Sequence, residues 1–162
     1  DAACIEWAIA YGPSKLKAVD IGCGRGIQAI RLASLGASVL AVDLSDLSPF
    51  ASGANALLGC DAITYFSGDV RELPPSAYPT PLQLIYSQRF IHYLRHEEAR
   101  ELLARLITVL SEDGRLFLSA SGLESELGDG YADRDRSVEN RFSLLSAEHQ
   151  EKVHITEPIC MY

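Results

Sequence analysis

Val19-Asp-Ile-Gly-Cys-Gly-Arg-Gly26 (VDIGCGRG) reads as the end of a β-strand, a glycine-rich turn and the entry to a helix. Lys17 to Ile21 (KAVDI) supplies the strand, and the helix runs to about Leu35. Such a turn aims backbone N–H groups and the positive end of the helix at one point, where a ligand's polar atoms are held. Glycine suits it because a β-carbon would block close approach of a ribose or a carboxylate.

Outward from this turn, short β-rich runs alternate with helical segments, the order that builds a parallel sheet with helices on its faces. Gly36 fits the left-handed position just past the first helix. Ser38 to Asp43 (SVLAVD) is a second strand, apolar almost throughout, as expected when both faces are covered. Ser48-Pro49 reads as an N-cap followed by the first residue of a helix ending near Leu58. Ala62 to Phe66 is a third strand and Leu82 to Tyr86 a fourth, joined through a proline-rich connection from Leu73 to Pro81. Ala99, Leu102, Leu103, Leu106 and Leu110 form one apolar stripe on a helix that starts near His96. Glu112 to Gly114 reads as a turn and Arg115 to Ala120 as a fifth strand. The fold class is therefore α/β, a doubly wound, mostly parallel sheet. Beyond it, Gly122 to Arg141 predicts a mobile polar loop and Ser143 to Lys152 a short helix.

The 162 residues, 48% hydrophobic and 22% charged, fit one domain spanning 1–162, with its core at 17–121. Fourteen basic against twenty-two acidic side chains give a net charge of −8, which disfavours a nucleic-acid partner. Arg134, Arg136 and Arg141 are interleaved with Asp133, Asp135 and Glu139, a mixed-charge solvated loop. No apolar run approaches the roughly 20 residues of a membrane span. Cys4, Cys23, Cys60 and Cys160 lack any CxxC spacing, so neither a metal site nor a redox pair is expected. Four buried or half-buried free thiols suit a reducing, cytoplasmic setting. The chain opens on Asp1 and its one methionine is Met161, so the native N-terminus is expected to lie outside it.

Three further strand ends point at the edge of the sheet that carries the glycine turn. Asp43 closes the second strand, 17 residues beyond Gly26, where its two oxygens can accept both hydroxyls of a ribose. Gly68-Asp69-Val70 follows the third strand, with Asp69 and the Val70 N–H suited to an adenine, and a plain surface turn as the other reading of Asp69. Ser87-Gln88-Arg89 follows the fourth. Open α/β sheets bind ligands at these carboxyl ends. The dinucleotide fingerprint G-x-G-x-x-G would need glycine at position 27, where this chain has Ile27.

The segments VDIGCGRG, AVDLS, GDV, IYSQRFIHYL and ELLARLITVLSEDGRLFLS, in that order over Lys17 to Ser121, resemble the class I S-adenosylmethionine-dependent methyltransferases. The resemblance implies a Rossmann-like fold and S-adenosylmethionine as cofactor. It implies that Gly22 and Gly24 approach the methionine moiety, with Asp20 supporting the turn. Asp43 would bind the ribose, Leu44 would lie beside the adenine, Asp69 and Val70 would address the base, and backbone at Ser87 would face the methionine amino group. Where many relatives have Lys-Pro-Gly-Gly, this chain has Glu112-Asp113-Gly114. Only five of the family's usual seven strands can be counted, so the C-terminal part of the sheet is expected to be missing.

Methyl transfer from a sulfonium is a displacement in which proximity and orientation supply most of the acceleration, and a base is needed only if the acceptor must lose a proton. His92 is the weak candidate for such a base, with packing against the next helix as the competing role. Trp7 and Tyr11 suit either a lid or the packing of an N-terminal helix. The activity expected is methyl transfer to a small-molecule acceptor. A non-catalytic cofactor- or partner-binding module and an NAD-type oxidoreductase domain are the rival readings. The oligomeric state is not encoded in these motifs.

Overall fold

The computed structural model describes residues 2–46 and 48–162. Five strands form one sheet: β1 (Lys17–Ile21), β2 (Ser38–Asp43), β3 (Ile63–Ser67), β4 (Leu82–Gln88) and β5 (Leu110–Ser119), in the spatial order β3-β2-β1-β4-β5. β1 pairs in parallel with β2 and β4, and β2 with β3. The Ser111 hydroxyl donates to the Leu82 carbonyl at the start of β4 (2.8 Å), and the Arg89 N–H just beyond β4 donates to the Ser119 carbonyl (3.0 Å). Start meets start and end meets end, so β5 also runs parallel. The order reverses direction at β1, placing the switch point of this doubly wound sheet beside the glycine turn.

The helices are α1 (Ala2–Tyr11), α2 (Ile27–Ser34), α3 (Ser48–Leu58), α4 (His96–Val109) and α5 (Ala147–Val153). Alternate residues of the central strands face opposite ways. Ala18, Val39, Ala41 and Leu84 pack with Cys4 and Ala8 of α1, Ala29 and Leu32 of α2, and Ala51 and Ala54 of α3. Val19, Ile21, Val42 and Ile85 face the other way and are no more than 1% exposed. Both faces of the sheet are therefore covered. At about 25 cal/mol per Å² of apolar surface, this two-sided burial is what holds short strands of five to seven residues together.

Several boundaries differ from the sequence reading. Ser48 already belongs to α3, so it does not cap it; residue 47, before it, lies outside the described residues. The expected turn at Glu112 to Gly114 is instead part of β5, and Leu110 leaves the helical stripe to begin that strand. The reason is tertiary: a β-carbon on Gly114 would come within 3.0 Å of the Gln83 carbonyl, so the backbone lies directly against β4 there. Trp7 stacks on Tyr11 (5.0 Å between ring centroids) and packs on Phe117 of β5, while the Tyr11 hydroxyl donates to Asp113 (2.9 Å). That is packing of α1 on the sheet, not a lid.

The chain divides into two compact units. The first runs to Gln88 and includes Leu106–Leu118; the second consists of Arg89–Arg105 and Ser119–Tyr162. The stretch Gly122 to Arg141, expected as a mobile loop, is packed. Leu127 and Tyr131 join Leu145, Ile159 and Met161 in a core of the second unit, and the Tyr131 hydroxyl donates to the Ile159 carbonyl (2.7 Å). Arg134 pairs with Glu124 and Asp129, and Arg136 with Asp133. The short helix expected from Ser143 is α5, with Ser146 as its N-cap. All four cysteines are free, but Cys60 is exposed rather than half-buried. No helix among the described residues is long and apolar enough to cross a membrane.

Candidate functional site

The glycine turn is built from three left-handed residues, Gly22 (φ 66°), Gly24 (φ 52°) and Gly26 (φ 68°), a backbone that side-chain-bearing residues adopt at a cost. Both Gly22 and Cys23 donate their N–H to the Val42 carbonyl, at 2.9 and 3.1 Å, which ties the turn to the end of β2. Gly26 sits at the N-cap of α2 and offers no side-chain cap. Asp20 takes that role from β1: its Oδ2 accepts from the Ala29 N–H (3.1 Å). The Asp20 side chain is buried at 2% exposure, and burial, with the charge of Asp43 adding to it, pushes its carboxyl up to about 7.

Asp43 faces the turn. Its Oδ2 accepts from the Gly24 N–H (2.9 Å) and its Oδ1 from the Ser45 N–H (3.0 Å). A carboxylate oxygen has two lone pairs, so each still has one to offer. Strand register aligns the neighbours: Asp43 is opposite Ser67 on β3, and Ile21, just before the turn, is opposite both Val42 and Ser87. From β3 to β4 this row crosses three interstrand gaps, about 15 Å. Leu44 projects its side chain into solvent at 74% exposure.

At the β4 end, Ser87 is 3% exposed and its hydroxyl has no hydrogen-bond partner. A buried hydroxyl left unpaired costs about 1–3 kcal/mol, so this one is able to take a polar partner. At the β3 end, Asp69 is engaged by its own turn: Arg71 donates to it from the backbone (2.8 Å) and from its guanidinium (2.6 Å at Nη2). Val70 has a buried side chain. The structure thus brings Asp20, Gly22, Gly24, Asp43, Leu44, Asp69, Val70 and Ser87 to one edge of the first unit.

His92 belongs to the second unit. It is 1% exposed, its Nδ1 lies 3.1 Å from the Ser121 hydroxyl, and its Nε2 has no partner. Burial, with the Arg89 guanidinium adding to it, lowers its pKa to about 4, so the ring is neutral at pH 7.

Sequence reasoning passed over Tyr65 and Ser67, two positions on one face of β3. The Tyr65 hydroxyl donates to the Ser45 carbonyl, and the Ser67 hydroxyl to the Leu44 carbonyl (3.3 Å). It also passed over Phe50 of α3, whose ring lies where a β-carbon on Gly26 would come within 3.2 Å. A groove of about 700 Å³ runs along α3, lined by Ser48, Asn55, Asp61 and Tyr65; it does not include the glycine turn, Asp43 or Ser87.

Residues 18–114 match the methyltransferase domain family. The mitochondrial ubiquinone biosynthesis O-methyltransferase of Schizosaccharomyces pombe is 33% identical over 106 residues, covering 64% of this chain and 37% of that protein. Among solved structures, a glycopeptide N-methyltransferase complexed with (S)-adenosyl-L-methionine superposes with a TM-score of 0.56 at 25% identity, covering 76% of this chain and 57% of that one. TehB from Haemophilus influenzae superposes with a TM-score of 0.62 at 18% identity, covering 75% of this chain and 41% of that one, a likeness of fold. The chain therefore spans well under two thirds of the length of these relatives.

Proposed function

Since the chain belongs to the class I methyltransferase family, we propose that the edge formed by Gly22, Gly24, Asp43, Leu44, Asp69, Val70 and Ser87 binds S-adenosylmethionine for methyl transfer to a small-molecule acceptor. The observation that supports it most is Asp43, held by the Gly24 and Ser45 N–H groups with one lone pair open on each oxygen. Two vicinal ribose hydroxyls match that pair of acceptors. The unpaired Ser87 hydroxyl suits the polar methionine end of the same ligand.

When bound, S-adenosylmethionine supplies a methyl group on a sulfonium, an electrophile that needs no further activation. What the chain contributes is binding and orientation. The N–H groups of Gly22, Cys23, Gly24 and Gly26 are taken up within the turn, and Asp20 caps α2 at Ala29. The positive end of α2, at the Ile27 and Gln28 N–H groups, is what remains for the methionine carboxylate. Leu44 presents an apolar surface to the adenine, and Asp69 and Val70 address its polar edge. Asp20 holds α2 to β1 beneath the turn. No catalytic base is assigned: His92, neutral at pH 7 and buried in the second unit, is only the weak candidate, with packing against the following helix as its competing role. The relatives act in different settings, one an O-methyltransferase of ubiquinone biosynthesis and another a glycopeptide N-methyltransferase, so they point to no single acceptor. Four free thiols favour a reducing, cytoplasmic setting.

Calorimetric titration with S-adenosylhomocysteine and, separately, with NADH tests the assignment. Binding of the first alone is expected. Asp43→Ala should weaken it by about 1.5–3 kcal/mol, the scale of charge-assisted hydrogen bonds. An affinity unchanged in that variant removes Asp43 from the site, and saturable NADH binding overturns the cofactor.

A further inference from the structure

The loop after β2 carries Leu44, and three polar contacts fix its backbone. Ser45 is held at its N–H by Asp43 Oδ1 (3.0 Å) and at its carbonyl by the Tyr65 hydroxyl. Leu44 is held at its carbonyl by the Ser67 hydroxyl (3.3 Å). Ile63, Tyr65 and Ser67 alternate along β3 and so share one face. The row starts in the core, where Ile63 is 5% exposed, and rises to the loop through two hydroxyl-tipped residues. Neither carbonyl needs a protein partner to be satisfied, since residues 44 to 46 are all exposed to water. What the hydroxyls add is one fixed backbone path for a segment whose apolar side chain is 74% exposed.

We propose that Tyr65 and Ser67 are positioning residues for the adenosine half of the cofactor site: they clamp Leu44 and Ser45 so that the apolar platform and the Asp43 carboxylate stand ready together. This rests on the assignment of S-adenosylmethionine to the edge described above. Asp43 is coupled to the clamp directly, because the Ser45 N–H that holds Oδ1 belongs to the residue whose carbonyl Tyr65 holds. Freeing the loop lets the carboxylate rotate and Leu44 leave its station. The ordering that the clamp performs in advance must then be done at the moment of binding, which lowers affinity without removing any contact to the ligand.

The test uses Tyr65→Phe, Ser67→Ala and the double variant, each of which removes only a hydroxyl. Dissociation constants are measured for S-adenosylhomocysteine and for 5′-methylthioadenosine, which keeps the adenosine and lacks the amino-acid end. Thermal midpoints of the ligand-free proteins are measured alongside. Each hydroxyl should account for about a fivefold loss, the scale of one net hydrogen bond, and the double variant for more than either alone. Both ligands should lose the same factor, and the ligand-free midpoint should hold within about a degree. Unchanged affinity in the double variant overturns the clamp, and so does a loss confined to S-adenosylhomocysteine, which would place the effect at the methionine end. A fall in midpoint with affinity intact in the folded variant reduces both hydroxyls to structural bonds and also overturns it. Failure of the parent chain to bind either ligand removes the cofactor assignment itself, an outcome separate from these.

Discussion

Replacing Asp20 by asparagine isolates one buried charge. The carboxyl is 2% exposed, accepts one bond from the Ala29 N–H, and has its pKa raised from 3.8 to about 7, chiefly by burial. Because the folded value lies above the unfolded one, the folded chain holds a proton that the unfolded chain releases. The associated stability is complete below about pH 4, declines as pH rises, and is lost by about pH 7. The gap corresponds to up to about 4 kcal/mol across that window, a large share of the stability of a domain this size. Asparagine keeps an oxygen for the Ala29 N–H and never ionises. Urea unfolding can be followed through Trp7, the only tryptophan, which lies in α1 in the same unit as Asp20. The stability difference between Asp20→Asn and the parent should grow in favour of the variant from pH 4 to pH 7 and then level off. A difference that stays constant from pH 4 to pH 8 would refute a raised Asp20.

Ser87→Ala removes a buried hydroxyl that has no partner. The ligand-free chain should gain about 1 kcal/mol in urea unfolding, while S-adenosylhomocysteine affinity falls; a gain in both quantities would show that the hydroxyl faces nothing. His92 has its pKa lowered from 6.5 to about 4, so its contribution to stability is present above pH 6.5 and is lost as pH falls toward 4. His92→Gln should flatten that acid limb of the unfolding profile. If His92 also serves as the base, turnover with an acceptor should fall about 10²-fold at intact cofactor affinity; a less stable variant with normal turnover leaves only the packing role.

β1 and β2 were legible to the residue because both are short runs buried on two faces and ended by a glycine turn or an aspartate. β4 runs on through Ser87 and Gln88, two polar residues that pattern reading assigned to the connection; pairing with Ile21 keeps Ser87 in the sheet. The Glu112 to Gly114 segment has the composition of a turn, yet contact with Gln83 of β4 draws it into β5, and no local signal announces that. Leu127, Tyr131 and Leu145 looked isolated among polar residues because their partners, Ile159 and Met161, come from the far end of the chain. In the site, the spacing from glycine turn to Asp43 was enough to bring them together. Tyr65 and Ser67 escaped notice because they act on backbone carbonyls 20 and 23 residues away, which carry no residue identity.

The position of β1 in the middle of the sheet has a consequence for the order in which the chain can fold. Its pairing with β2 needs only a short excursion; Gly24 and Asp43, which bond across that seam, are 19 residues apart. Its pairing with β4 closes a far longer loop, as Lys17 and Gln83 are 66 residues apart where they bond. Loop closure grows costlier with length, and non-local seams are slow to form. During synthesis, β1, β2 and β3 therefore emerge and can zip together while the other edge of β1 stands bare, until residue 82 and those after it have cleared the ribosome. That edge carries Ala18, Val19 and Ile21 with their backbone groups unpaired, and it is where a stalled or truncated chain would be captured by a chaperone or by another copy of itself.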